Sequence, residues 1–155
     1  PFVKKAQCVL AANITSGNVT MTRAPPWGRL LAAAIDTARA KPFVWGVHDC
    51  PTFAFETRMI LTGGEDVAAL WRGRYTTALG GARVMRRLGW ALLEEMGRSL
   101  LGEPRLSVLL AARGDIVLAN SGLGFGICTG RAAVGMAQEG LITVPLTSCR
   151  LAWQI

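Results

Sequence analysis

The sequence predicts an α+β domain in which helices come first and an antiparallel sheet second. Two observations carry this. Up to Pro104 apolar residues recur at helical spacing between helix-starting and helix-ending signals, and beyond it the chain breaks into short apolar runs separated by tight-turn residues. A third sets the scale: 155 residues, 51% of them hydrophobic, with a mean hydropathy of +0.34, suit one domain with a substantial core. The longest apolar runs, such as Leu30 to Ile35, fall far short of the roughly 20 residues a spanning helix needs, so no membrane span is expected.

Residues 1–20 carry Lys4 and Lys5, the short apolar stretch Cys8 to Ala12, and then Asn13, Ser16, Gly17 and Asn18. They are expected to form an N-terminal extension outside the core domain of residues 21–155. The apolar stretch is too short for a secretory signal, and the sequons at Asn13 and Asn18 read as chance matches. The first helix is expected after Pro25-Pro26, because proline suits the first helical turn. Its buried face is Trp27, Leu30, Leu31, Ala34, Ile35 and Ala38, and Lys41-Pro42 stops it. A second helix is predicted over Cys50 to Thr62, capped by Asp49 or Cys50, with Pro51 in its first turn and Gly63-Gly64 ending it. Its inner face is read as Phe53, Thr57, Ile60 and Leu61. A short helix near Asp66 to Trp71 follows, then one from Thr76-Thr77 to Leu88 and one over Ala91 to Leu101.

Strands are predicted at Ile116 to Leu118, Leu123 to Thr129, Ala132 to Ala137, Leu141 to Leu146 and Arg150 to Ile155. Asn120-Ser121-Gly122, Gly130-Arg131 and Glu139-Gly140 separate them. Even spacing with tight turns reads as an antiparallel β-meander on which the N-terminal helices pack.

Seventeen basic against ten acidic residues give a net charge of +7, and fourteen of the basic residues are Arg. Only Arg72, Arg74, Arg83, Arg86 and Arg87 crowd together, without the interleaved aromatics of a base-stacking platform. A solvated helical face in a basic protein is the plainer reading, and a nucleic-acid-binding domain is kept only as a distant third function. The cysteines at 8, 50, 128 and 149 contain no Cys-x-x-Cys pair and meet a single histidine, so no metal site and no cofactor is expected, and reduced thiols are.

The stretch Phe43 to Cys50 carries the chemistry. It sets a cysteine on the first turn of a predicted helix, where unpaired N–H groups and the positive end of the helix dipole favour a thiolate. That is where a cysteine hydrolase places its nucleophile, so Cys50 is the nucleophile candidate, against the plainer reading of a small buried hydrophobe. His48, two residues earlier, is the only imidazole and hence the only candidate general base. A turn into a helix sends the two side chains to different sides, which makes it a weak one. Asp115 after Gly114 reads as a turn residue beside the alternative of a catalytic carboxylate. Trp45 and Trp153 read as core, and Tyr75 is weighed with them as a groove aromatic.

Trp45-Gly-x-x-Asp49-Cys50 at a helix start, Gly114-Asp115 leading into a strand, and Gly126-Ile127-x-x-Gly130 resemble the NlpC-type branch of papain-like cysteine peptidases. The wider pattern is similar to a small phage and prophage branch of that superfamily, of unknown function and encoded beside tail genes. Gly64-Glu65-Asp66, Arg72-Gly73-Arg74-Tyr75, Gly140-Leu141 and Ala152-Trp153 add to the likeness, which spans residues 21–155. The resemblance implies a papain-like fold, hydrolysis of cell-wall peptide amides, peptidoglycan peptide as substrate and phage tail proteins as partners. It also implies a location in the virion tail or, during assembly, the host cytoplasm. It puts the nucleophile on Cys50. It puts the base histidine on position 124, which is glycine here, and the orienting polar residue near Gly135 or Met136. A cysteine peptidase without its base loses a group worth about 10²–10⁴-fold in rate, so impaired or lost catalysis is expected. A non-catalytic part of a phage tail tip is the alternative.

Overall fold

The computed structural model describes residues 23–120 and 124–155; the expected extension over residues 1–20 lies outside them. Among the described residues four α-helices precede five strands in chain order. The helices are α1 (Trp27–Arg39), α2 (Cys50–Thr62), α3 (Ala78–Arg87) and α4 (Leu93–Leu101), with a 3₁₀ turn at Val67–Leu70. The strands are β1 (Ile116–Ala119), β2 (Phe125–Cys128), β3 (Ala132–Ala137), β4 (Gly140–Pro145) and β5 (Cys149–Trp153). All pairings are antiparallel, so this is an α+β fold. No helix among the described residues is long and apolar enough to cross a membrane.

The helix signals act where the sequence places them. Pro26 precedes α1, Thr77 caps α3 by accepting from Gly80 N–H, and Gly63 ends α2 in the left-handed conformation at φ 66°. The face read for α2 was too narrow. Ile60 is exposed, whereas Ala54, Phe55 and Arg58 are buried along with Phe53, Thr57 and Leu61. α2 runs through the middle of the molecule, packed on α1 and on β2 and β3, so one stripe does not describe its contacts.

The sheet is not the predicted meander. Its order is β4-β3-β2-β1-β5: the first four strands run as a meander, and β5 returns to the free edge of β1. Ile116 faces Trp153 and Val117 faces Ala152 in that pairing. Pro145 and Cys149 are four Cα steps apart and can be separated by at most about 15 Å. Four flat strand spacings amount to about 19 Å. The sheet must therefore curl to bring its two outer strands within reach of one short turn, Leu146–Ser148. Turn residues mark where a strand ends but not which edge accepts the next one.

The main core lies between helices and sheet. A chain of edge-to-face aromatic contacts runs Trp90–Trp71–Phe55–Phe125–Trp153, with centroids 5.4–6.4 Å apart. Trp153 is fully buried, donates from Nε1 to Gly102 O at 2.9 Å, and leaves no space for a Cβ on Gly97 of α4. Trp45 packs partly buried against this core, edge-to-face with Phe43. The other sheet face carries a smaller cluster of Val117, Cys128, Ala133, Leu146, Cys149 and Ala152, with Val108 and Ala111 packed against it.

Candidate functional site

The site is built from the loop that leads into α2. Val44 and His48 bond each other across a tight turn, with N···O distances of 3.1 and 2.7 Å, and Gly46 at its tip takes φ 72°. Glycine is required there twice over: other residues resist that conformation, and a Cβ would run into the Tyr75 carbonyl oxygen. Gly46 O accepts from Gly73 N–H at 2.7 Å, fixing the turn to the loop before α3.

Asp49 is the N-cap of α2, which settles the Asp49-or-Cys50 alternative. Its carboxylate is fully buried and accepts four hydrogen bonds, none from a cation. Oδ1 accepts from Thr52 N–H (3.2 Å) and Thr52 Oγ1 (2.6 Å); Oδ2 accepts from Gly46 N–H (2.8 Å) and Tyr75 OH (2.6 Å). Trp71 Nε1 donates in turn to Thr52 Oγ1 at 3.2 Å. Burial, then the bond to Asp49, raises the pKa of the Tyr75 hydroxyl, which keeps it a donor. Tyr75 is thus a buried strut rather than a groove aromatic.

Cys50 opens α2, half-buried, with its sulfur facing β2. A Cβ built on Gly124 would lie 3.0 Å from both the Cβ and the Sγ of Cys50. Burial pushes the thiol pKa up to about 12; the N–H of Phe125 opposes the shift, the Asp49 charge adds to it, and the N–H of Cys50 itself opposes it. Of the two readings the sequence offers for Cys50, this environment fits the small buried hydrophobe rather than a thiolate favoured by the helix dipole. A helix N-terminus stabilises a charge by about 2 kcal/mol at most, whereas desolvation shifts buried groups by up to about 3–5 pKa units, so burial wins.

His48, the candidate base, faces elsewhere. It is buried, with Nε2 3.4 Å from the Ala38 carbonyl oxygen, and lines a cavity of about 210 Å³ between α1 and α2 with Phe53, Glu56 and Thr57. Its ring meets α1 while the Cys50 sulfur meets β2. The two positions expected to complete a triad are empty of polar groups as well. Gly135 pairs with Gly126 in the ladder, and Met136 is buried in the core. The thiol is capped by glycine and backbone. Among the described residues no cluster of three or more His, Cys, Asp or Glu side chains could hold a metal.

The family described as Domain of unknown function (DUF6950) matches residues 22–155. The chain belongs to that family. No curated protein and no solved structure matches it.

Other motifs of this DUF6950 domain also hold structure. Arg72 donates to both oxygens of Asp66 (2.7 and 2.9 Å) and to Glu56 of α2 (3.0 Å), which ties Gly64-Glu65-Asp66 to Arg72-Gly73-Arg74-Tyr75. Asp115 also holds structure. It is fully buried and clasped by Arg23 (2.6 Å) and Arg105 (2.7 Å), with Ala112 N–H as a further donor at 2.8 Å. Gly114 packs under the Arg23 guanidinium, and Arg23 also donates from Nε to Ile155 O and lies over the Trp27 ring. Sequence reasoning missed Thr52 and the pairing of Tyr75 with Asp49. The N-cap rule, which sends the Asp49 oxygen to the residue three ahead, pointed to Thr52. Nothing local pointed to Tyr75 or to Arg23.

Proposed function

We propose that this DUF6950 domain is an NlpC-type papain-like fold whose catalytic centre no longer works, retained as a structural component of a phage tail tip or of its assembly. The observation that carries this is the contact of Cys50 with Gly124. The nucleophile position of the resembled peptidases is present at a helix start, and it is pressed against the strand to which the resemblance assigns the base. There the residue is glycine, and so close that a Cβ would stand 3.0 Å from the sulfur, a contact that only a small shift could relieve. Amide hydrolysis needs a thiolate and a positioned acid to protonate the leaving amine. Cys50 is held as a thiol, and no imidazole faces it from His48 or position 124.

The test compares the wild-type chain with Cys50→Ala and His48→Ala on peptidoglycan fragments, beside iodoacetamide alkylation of Cys50 followed from pH 6 to 10 by mass spectrometry. The expected result is no fragment release above Cys50→Ala and native alkylation that stays slow at neutral pH. Release that Cys50→Ala abolishes, or an alkylation midpoint well below the roughly 8.5 of a free thiol, overturns the proposal.

A further inference from the structure

From Val67 to Leu93 the chain holds five arginines and no acidic residue. Arg72 is consumed by Glu56 and Asp66. Arg74, Arg83, Arg86 and Arg87 are exposed, and none of them makes an ion pair among the described residues. Elsewhere Arg23 and Arg105 pair with Asp115, Arg39 with Asp36, Arg98 with Glu94 and Glu103, and Arg150 with Glu94, while the exposed cations outside ion pairs, Arg29, Lys41, Arg113 and Arg131, stand singly along the chain. Among the described residues the densest run of unpaired charge is thus on α3 and the loop before it. Arg86 and Arg87 stand in the last turn of α3 and complement the helix dipole. That reason does not extend to Arg83 in mid-helix, to Arg74 outside the helix, or to an apolar neighbour on the same face. Leu79 is 61% exposed and stands four residues before Arg83 and seven before Arg86, on the stripe opposite buried Gly81 and Met85.

We propose that this outer face of α3 is a docking surface for an acidic, amphipathic polypeptide segment of another protein. Guanidinium forks match carboxylates bidentately, and arginine is the cation enriched at protein interfaces. The leucine in line with the arginines decides between partners: a phosphate backbone offers it nothing, whereas a segment alternating Glu or Asp with apolar residues covers both. The proposal does not depend on whether Cys50 is catalytic.

The experiment titrates the full chain, by fluorescence anisotropy at about 150 mM salt, into three labelled probes. They are a peptide of about 14 residues repeating Leu-Glu-Glu-Leu-Glu-Glu-Glu, a poly-Glu peptide of equal charge, and a short DNA duplex. The heptad peptide is expected to bind best. Arg83→Gln/Arg86→Gln/Arg87→Gln should weaken it by roughly tenfold or more, and the charge-matched set Arg29→Gln/Arg113→Gln/Arg131→Gln by less than about threefold. Leu79→Ala should weaken the heptad peptide and leave poly-Glu unchanged. Arg74→Gln/Arg83→Gln serves as a second variant should the triple lower the thermal midpoint. Equal losses for the two charge-matched sets, absence of heptad-peptide binding, or tighter binding of the duplex each overturn the proposal.

Discussion

Asp49 and Asp115 are both fully buried carboxylates, and the fold holds them in opposite ways. Asp49 accepts four hydrogen bonds from two backbone N–H groups, a threonine and a tyrosine, all neutral. Asp115 is held by two guanidinium groups and one N–H. Neutral donors cost little to desolvate and each points in one direction, so the Asp49 arrangement fixes geometry: the Gly46 turn, the first turn of α2 and the loop carrying Tyr75. Two cations balance charge and reach far along the chain. The Asp115 clasp therefore joins segments that share no local structure, Arg23 before α1 and Arg105 before β1. The fold uses one carboxylate to shape the start of a helix and the other to close the domain.

The largest effect is expected where removing one partner strands two charges. Asp115→Asn should cost about 3–5 kcal/mol in urea unfolding, because Arg23 and Arg105 lose their counter-charge inside the protein. A loss below about 1 kcal/mol would show the clasp to be solvated in practice and erase the contrast.

Tyr75→Phe tests the neutral network. It removes one of the two donors to Asp49 Oδ2 and should cost about 1–3 kcal/mol, with little dependence on salt because no cation is involved. Denaturant midpoints should show the same loss at low and high salt; a loss that shrinks with salt would mean that a cation reaches Asp49.

The thiol of Cys50 follows the Asp49 cap directly. The Cys50 pKa lies near 12 in the folded state and near 9 when unfolded. The unfolded chain then gives up its proton first as pH rises, so stability is fully present below about pH 9 and falls from there towards pH 12. Tyr75, also raised, adds to the fall above its ordinary range. Cys50→Ala should remove up to about 1.4 kcal/mol per pH unit of the slope midway between the two Cys50 values. An unchanged slope would mean that the sulfur is solvated.

The smallest effect belongs to the exposed pair. Asp66→Asn removes the charge and one of the two acceptors facing Arg72 at the surface and should cost under about 1 kcal/mol, fading as salt rises. The pKa of Asp66 is lowered by the hydrogen bond from Arg72, so this contribution is present above the ordinary carboxylate range and lost as pH falls through the lowered value. A midpoint unchanged between pH 7 and pH 3 in the difference from wild type would remove Asp66 from the comparison.

Local signals determined much of this protein. The limits of α1 and α2, the Asp49 N-cap, the Gly63 stop and β3 over Ala132–Ala137 follow from residues within a few positions of each boundary, because caps, prolines and glycines act on their own turn. The cysteine at a helix start was equally legible. Tertiary structure alone decided three things. Partner edges lie tens of residues apart, so β5 could be placed beside β1 only by the curled sheet. Asp115 chose its role through Arg23, 92 residues away, where no periodicity reaches. The state of Cys50 turned on what covers it: the helix dipole is written in the sequence around residue 50, but the burial that outweighs it comes with the packing of α2 against β2, which sets Gly124 over the sulfur.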